Sequence, residues 1–464
     1  MFPRLRVDRS FMTGGWALTT LEEYFLLEDR PSYPWSFFLR LGFRGEADRQ
    51  AVELAFARAV ARHPLLRAIA CQQPGGWRWL VRDETQAAVH WNTNAIDGQD
   101  FTATYLDVTK EIGVRLYVDV KTDSSQLIFQ FHHACCDARG ALGLIDDWLV
   151  EYARATGVQQ QIPPLPDVDP DVLEQRGHFK ANNRQTASTW TVLVAGVKRA
   201  YRFLRQQPAP LLDFEPAGNS EATPSDFPAV RTFHFEPMIT DQLRQVAKSE
   251  GGTLNDLLCR DLLMALCRFR DEVRSSSSNA WLRLAVATDL RTADQQPMPA
   301  TNQSSMVFVT RCENECRVAE PLFQGIHREL QQVKDWGLGR TFLRSLQIGQ
   351  RLPGGLARRV RQKKCGATAA LTNVGQVLRD SRVPCVGDNL VAGNLQLETV
   401  DFLAPIRPLT AASFSVCTYA GCLSICLQYD RRALNEPAAD QLMETYRDQL
   451  RSHLEETIDR RPAT

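Results

Sequence analysis

The sequence predicts an α+β protein built from two comparable units joined by a linker. Three observations carry that reading. Strand-like stretches of period two and helix-like stretches of period 3.6 succeed one another in the first third of the chain, and the same succession restarts after residue 229. Between them, residues 157–229 change character: Gln159 to Gln161 and Pro163, Pro164, Pro166 and Pro170 come early, and Pro208, Pro210, Pro216, Pro224 and Pro228 come late. No short period repeats along the chain, which argues against solenoids and propellers. The expected division is 1–156, a linker 157–229, and 230–464.

Taken in order, Thr20 to Leu27 reads as a short helix with Leu21, Tyr24 and Phe25 on one side. Trp35 to Phe43 reads as a strand, Phe37, Leu39 and Leu41 alternating with Phe38, Arg40 and Gly42. Asp48 to Arg62 is an amphipathic helix carrying Val52, Ala55, Phe56, Ala59 and Val60 at helical spacing, and Pro64 stops it. Pro74-Gly75-Gly76, between two apolar stretches of Cys71 to Val81, marks a hairpin. Val114 to Val120 and Gln126 to His133 are strands joined by the polar turn Thr122 to Ser125, and a helix from Ala138 to Ala153 follows. In the linker, Trp190 to Leu204 is a surface helix, basic at Lys198, Arg199 and Arg202, with Arg205 just after. A solvated basic face is its plainer reading and a membrane-surface role the alternative. Beyond residue 229, Val230 to Phe235 and Leu282 to Ala287 read as strands, and Met238 to Ser249, Leu254 to Arg270 and Glu320 to Trp336 as helices. Phe414 to Tyr419 and Leu423 to Tyr429 pair across Ala420-Gly421, and Pro437 to Leu454 is the closing helix.

Composition bounds the function. The chain has 464 residues, 44% hydrophobic and 23% charged, with a mean hydropathy of −0.28, which is ordinary for a soluble globular protein and excludes disorder or a collagen-like fibre. Fifty-four basic residues balance fifty-four acidic ones, so the chain has no global basic footprint for nucleic acid. No run of 18 apolar residues exists, so no transmembrane helix is expected. Met1 to Asp8 carries Arg4 and Arg6 but no apolar stretch follows, so no signal peptide is expected, and scattered cysteines without a disulfide scaffold make the reducing cytoplasm the default location. The twelve cysteines are scattered, several in apolar runs such as Leu258-Cys259 and Ile425-Cys426, as small buried hydrophobes are. Cys312 and Cys316 have no second pair at zinc spacing, so no metal is expected.

The most informative stretch is Phe131-His132-His133-Ala134-Cys135-Cys136-Asp137-Ala138-Arg139-Gly140, where a strand meets a helix. Strand alternation puts His133 on the face of Leu127, Phe129 and Phe131, and His132 on the face of Ile128 and Gln130. The two imidazoles therefore serve different ends, one entering a cleft and the other held in its wall. Each residue also has a structural reading. A histidine at a strand end is often only packed there, and Asp137 can cap the helix that starts at Ala138. A zinc site from His132, His133, Cys135 and Cys136 is sterically poor, because consecutive strand residues diverge.

His-His-x-x-x-Asp resembles the HHxxxDG motif of the chloramphenicol-acetyltransferase-like superfamily, which includes peptide-synthetase condensation domains, bacterial wax ester synthases, polyketide-associated acyltransferases and alcohol acetyltransferases. Further segments are similar in the same order. Arg62-His63-Pro64-Leu65-Leu66-Arg67 resembles the family's "RHPLLR", Asp289-Leu290-Arg291 its "DLR", and Leu371-Thr372-Asn373-Val374-Gly375 its "SNLG". Tyr429-Asp430 before a last helix also fits, so the likeness spans nearly the whole chain. One position departs: Ala138 stands where the family has glycine, and glycine comes at 140.

The resemblance implies two α/β sandwich subdomains in a V, with a tunnel at their seam. It implies acyl transfer from a thioester to an alcohol or amine without an acyl-enzyme. His133 matches the catalytic histidine, His132 the wall residue, and Asp137 a carboxylate paired with Arg291 across the halves. Asn373 and Gly375 match substrate or tunnel positions. The oxyanion needs donors, for which the backbone N–H groups opening the helix after Asp137 are candidates. No permanently bound cofactor is implied; acyl-CoA or a phosphopantetheine thioester is co-substrate, with small-molecule acceptors and a carrier protein in trans as a further partner. The cluster Arg358, Arg359, Arg361, Lys363 and Lys364 can meet CoA phosphates or an acidic carrier, a solvated face being the plainer reading. The alternatives are an amide-forming condensation enzyme on carrier-bound substrates and a non-catalytic docking module. The intact histidines argue against the latter.

Overall fold

The computed structural model of the protein describes residues 15–81, 87–91, 101–158, 162–179, 188–212, 222–273, 279–292, 297–361 and 364–459. Met1 to Asp8, Gln159 to Gln161, Pro216 and Lys363, on which expectations above rest, lie outside the described residues. In chain order the first part holds β1 (Trp16–Ala17), α1 (Thr20–Glu28), β2 (Ser36–Arg44), α2 (Arg49–Ala61), β3 (Ala68–Gln73), β4 (Gly76–Val81), β5 (Ala88–Trp91), β6 (Val114–Lys121), β7 (Ser124–His132) and α3 (Ala138–Thr156). The linker carries α4 (Thr189–Arg205). There follow β8 (Val230–Phe235), α5 (Pro237–Ser249), α6 (Leu254–Val273), β9 (Trp281–Asp289), β10 (Ser304–Cys312), α7 (Glu313–Cys316), α8 (Ala319–Asp335), α9 (Thr341–Arg351) and α10 (Gly355–Val360). The chain then runs through β11 (Ala369–Gln376), β12 (Cys385–Val386), β13 (Asn389–Ala392), β14 (Leu395–Leu403), β15 (Ala412–Tyr419), β16 (Cys422–Tyr429) and α11 (Glu436–Asp459).

The strands form two large mixed sheets and a small one. The first large sheet has the order β12-β13-β14-β2-β7-β6-β5, the second β10-β9-β11-β15-β16-β8, and β1-β4-β3 stands apart. Helices cover one face of each large sheet. The alternation in β2 sends Phe37, Leu39, Leu41 and Phe43 into a core with Val52 and Phe56 of α2 and Leu144, Ile145 and Trp148 of α3. The second core joins Leu257, Leu258, Leu262 and Leu266 of α6 to Leu284, Leu371, Phe414 and Ile425 of its sheet and to Leu442 and Tyr446 of α11. The opposite face of the first sheet is also buried: Phe38, Tyr117 and Ile128 meet Phe227, Val230 and Cys426 in a small core between the halves.

The sheets correct the linear division of the chain at residue 229. Residues 385–403, assigned by position to the second unit, complete the first sheet, because β14 lies antiparallel to β2 from Leu403 opposite Phe38 to Gln396 opposite Arg44. Without β14, β2 would expose an edge of unpaired backbone groups. A register shift between Leu397 and Thr399 brings the Thr399 hydroxyl over Gly42, where a Cβ would sit 2.5 Å from it. The linker is likewise not a loose spacer throughout. Val172 and Leu173 are buried, and Arg176 reaches the buried Glu22 at 2.9 Å, while Trp79 Nε1 donates to the same carboxylate at 3.0 Å.

A polar knot ties the crossing strand to the second sheet. Asp401 of β14 is buried, and Arg40 of β2 donates to its Oδ2 through Nε at 2.9 Å and Nη2 at 2.7 Å. Its Oδ1 meets His234 Nε2 of β8 at 2.7 Å and accepts from Ser424 of β16. Burial works against the charge, but Arg40, His234 and Ser424 outweigh it and hold the carboxyl far below the usual carboxylate range. A depressed folded value means the stabilisation is present above the unfolded value of about 3.9 and is lost as pH falls towards the folded one. Asp401→Ala removes the buried carboxylate that Arg40 and His234 share and is expected to lower stability by about 3–5 kcal/mol, read from denaturant melts at neutral pH. The difference from wild type is expected to shrink in acid.

Candidate functional site

The site grows out of the end of β7. His132 is the last ladder residue, its N–H donating to Gly113 at 2.9 Å. The chain then leaves the sheet: His133 N–H donates to the Trp35 carbonyl at 2.7 Å, and a tight turn brings Cys135 N–H to the His132 carbonyl at 3.0 Å. Asp137 ends the turn and caps α3, accepting from Gly140 N–H at 3.0 Å.

The two histidines diverge. His132 is fully buried; its Nδ1 accepts the Ala134 N–H at 3.1 Å, so its proton sits on Nε2, which lies 3.2 Å from Asp29 Oδ2. Asp29 in turn accepts from Trp35 N–H at 2.8 Å and from the Tyr105 hydroxyl. His133 is half-buried and ringed by aromatics, with Phe25 at 4.5 Å, Phe37 at 5.2 Å and Trp35 at 5.6 Å between centroids. Its Nδ1 is buried without a hydrogen-bond partner of good geometry. Loss of hydration lowers its pKa below the ordinary imidazole value; its own carbonyl and Asp137 act in the opposite sense and only partly offset this.

A strap from the second half closes on this turn. Arg291 donates to both oxygens of Asp137, at 2.9 and 3.0 Å, and Gln303 N–H adds a bond of 2.7 Å. Burial opposes the Asp137 charge, but Arg291 and these N–H groups prevail and hold its pKa below the usual range. Thr301 accepts from Asp137 N–H at 3.4 Å and from Arg291 at 3.3 Å. Asn302 Nδ2 donates to the carbonyls of His133 and Ala134 at 2.8 and 3.0 Å, gripping the backbone that carries the imidazole. His63 holds the strap's other end: its Nδ1 accepts Ala300 N–H at 2.8 Å, while its Nε2 lies 3.3 Å from Asp147 of α3, which also meets Arg62 at 2.6 Å. Asn302 and the work of Arg62 and His63 escaped the sequence reading, since nothing in a linear pattern marks which backbone a distant amide will grip.

Other expected residues lie elsewhere. Asn373 accepts from Gly375 N–H at 2.9 Å and reaches Asn255 at 3.4 Å, at an irregularity of β11 where Gly375 has φ +73°; the structure joins them to each other rather than to the histidines. The N–H groups of Gly140 and Ala141 are taken by Asp137, so they are withdrawn from the oxyanion candidates. The basic cluster is divided: Arg359 turns inward to Ser345 and over the Phe342 ring, while Arg358, Arg361 and Lys364 are exposed. Cys135 and Cys136 are fully buried, and burial pushes both thiols well up. Among the described residues no three His, Cys, Asp or Glu side chains gather as a metal site would require. A cavity of about 170 Å³ opens between the halves, lined by Ser32, Pro34, Phe227, Ile406, Gln428 and Tyr429 among others; His133 is not part of it.

No family model and no curated protein matches the sequence. Solved structures do. The epimerization domain from the third module of tyrocidine synthetase B is 18% identical, with 97% of this chain and 99% of that one covered and a TM-score of 0.63. Trichothecene 15-O-acetyltransferase from Fusarium sporotrichioides is 13% identical over 94% of each chain, with a TM-score of 0.66. A variant starter condensation domain of rhizomide synthetase in complex with C8-CoA is 12% identical over 95% of each chain, with a TM-score of 0.65. The protein has the two-lobed fold of these condensation-type and acyltransferase structures.

Gly140 is where the strap closes. A Cβ there would sit 2.9 Å from Thr301 N, 3.1 Å from Thr301 O and 3.2 Å from Ala300 Cα, all backbone that cannot easily yield. Glycine to alanine in a helix ordinarily stabilises. Gly140→Ala is instead expected to cost about 1–3 kcal/mol in thermal or denaturant melts. Ala138→Gly, which restores glycine next to the aspartate, is expected to cost no more than about 1 kcal/mol.

Proposed function

We propose that the protein is an acyltransferase that moves an acyl group from a thioester, held on CoA or on a carrier, directly to an alcohol or amine. The observation that carries this is the environment of His133: a half-buried imidazole with Nδ1 sealed and its basicity lowered by aromatic surroundings. Such a group is neutral at pH 7, ready to accept a proton rather than already holding one. The acceptor and the thioester meet at Nε2 along the seam between the lobes. The acceptor's O–H or N–H loses its proton to Nε2 as the heteroatom attacks the thioester carbonyl. The C–S bond then breaks, and the thiolate leaves with the proton returned by His133. His132 stays in the wall with Asp29, and Asp137 with Arg291 holds the turn rather than touching the reacting atoms. The fold's occurrence in an O-acetyltransferase and in a condensation domain that binds C8-CoA supports an acyl thioester as donor.

A second reading keeps the base and changes the acceptor to a carrier-bound amine, giving an amide; the condensation-type fold favours it equally. The epimerization domain of the same fold marks a third outcome, removal and return of a Cα proton without transfer. Single-turnover assays with acyl-CoA and with carrier-loaded donors, against alcohol and amine acceptors in deuterated water, separate the three. Ester or amide product supports transfer, whereas deuterium entering recovered thioester without product refutes it.

His133→Ala is expected to slow transfer by about 10²–10⁴-fold while leaving the melting temperature close to wild type. In the wild type, the acid limb of the rate profile is expected below the ordinary imidazole pKa of about 6.5, because burial lowers the folded value. Unchanged turnover in the variant would remove His133 from the mechanism.

Direct transfer also requires that the protein itself stays unacylated. Both thiols beside His133 are buried and held protonated, so neither is a nucleophile at neutral pH. Incubation with thioester alone is expected to give no covalent adduct in intact-mass spectra. A stoichiometric adduct on Cys135 or Cys136 would replace direct transfer by a two-step route.

A further inference from the structure

A helix on the surface of a globular protein ordinarily turns its apolar stripe inward. Helix α4 does the reverse. Trp190, Val197, Tyr201 and Leu204, spaced i, i+7, i+11 and i+14, share one face, and they are 72%, 62%, 58% and 69% exposed. The opposite face is the one that is anchored. Val192 packs on the second core, Phe203 lies 4.9 Å from Phe308, and Arg199 pairs with Glu329 at 2.9 Å. The buried guanidinium of Arg283 also takes the Phe203 carbonyl at 3.0 Å and that of Gln206. The outward stripe is therefore held in place by a fixed helix, not left by a fraying one.

Charge flanks the stripe on one side. Lys198, Arg202 and Arg205 are exposed, and Arg205 lies over the Tyr201 ring at 5.5 Å. The helix sequence, TWTVLVAGVKRAYRFLR, holds no acidic residue.

We infer that α4 is a docking element for an anionic lipid surface, lying in the plane of the interface with Trp190, Val197, Tyr201 and Leu204 in the acyl–headgroup boundary and Lys198, Arg202 and Arg205 at the lipid phosphates. Three features select this occupant. The stripe is carried by a single exposed helix face, so it suits a bilayer that yields around it. Tryptophan and tyrosine are the side chains that settle at the headgroup level. The exposed cations, which meet no carboxylate among the described residues, complement an anionic surface and oppose a second copy, whose own Lys198, Arg202 and Arg205 would face them. Docking leaves the His133 turn untouched, so it is independent of the reaction proposed above.

The test is sedimentation of the whole protein with vesicles of equimolar phosphatidylserine and phosphatidylcholine, against phosphatidylcholine alone. Binding to the anionic vesicles is expected, weakening with salt. Lys198→Glu with Arg202→Glu, and separately Trp190→Ser with Leu204→Ser, are each expected to lower the partition coefficient by about ten-fold or more. Trp190→Phe is expected to keep binding but to lose fluorescence quenching by bilayer-brominated lipids. All of these variants are expected to transfer acyl groups to soluble acceptors as wild type does. No sedimentation of folded wild-type protein with the anionic vesicles would overturn the inference. So would equal binding by the charge and stripe variants, or a dimer in solution that Trp190→Ser with Leu204→Ser dissolves. Binding of an acidic carrier protein through the stripe, with no vesicle binding, would assign the face to a protein instead.

Discussion

The carboxylate of Asp137 is the point on which the rest of the site depends. It is buried, and it accepts four hydrogen bonds, from Gly140, Gln303 and two nitrogens of Arg291. One bond starts α3; the other three fasten Arg291 and Gln303 of the second half to a turn of the first. A buried charge tolerates no vacancy among its partners, since losing one exposes the others to an uncompensated ion. The turn that carries His133 is thus a joint between lobes rather than a surface loop. Its geometry is set by partners that lie more than a hundred and fifty residues away in the chain.

The same logic governs the architecture. Two sheets with helices on one face each would expose their other faces. Here those faces are drawn together by the small core around Phe38 and Ile128 and by the polar knot at Asp401. Strand β14 makes this possible because it belongs by pairing to one sheet and by its side chains to both. Phe402 enters the first core, while Leu403 and Asp401 face the seam. Lobes tied in this way cannot slide far without opening that core and breaking the hydrogen bonds to Asp401.

Legibility followed the range of the forces involved. Local periodicity placed α2, α3, α6 and the β15–β16 hairpin within a few residues of their observed bounds, because each buries a face its own sequence defines. The crossing of β12 to β14 into the first sheet was not legible. Gly387 and Gly393 interrupt the pattern there, and pairing with a strand some 350 residues earlier leaves no local trace. Within the site, the alternation in β7 separated His132 from His133, and Asp137 was visible as a helix start. Asn302, His63 and Asp147 were not assigned their roles, since a grip on a distant backbone has no spacing rule. The resemblance expects a glycine at position 138; the close backbone approach occurs at Gly140 instead.

That displacement has a geometric explanation. The strap lies over the first turn of α3, and the backbone of Ala300 and Thr301 comes nearest at the third residue of that turn. A helix presents residues three apart on nearly the same side, so Asp137 and Gly140 face the strap together. The aspartate binds it and the glycine makes room for it. Ala138 points elsewhere, where a methyl group is accommodated with the residue still buried. What the arrangement demands is a small residue on the strap-facing side of the helix start, not a glycine directly after the aspartate. The pattern His-His-x-x-x-Asp-Ala-Arg-Gly satisfies that demand, and the Asp137 pair, the Asn302 grip and the half-buried His133 are all present with it.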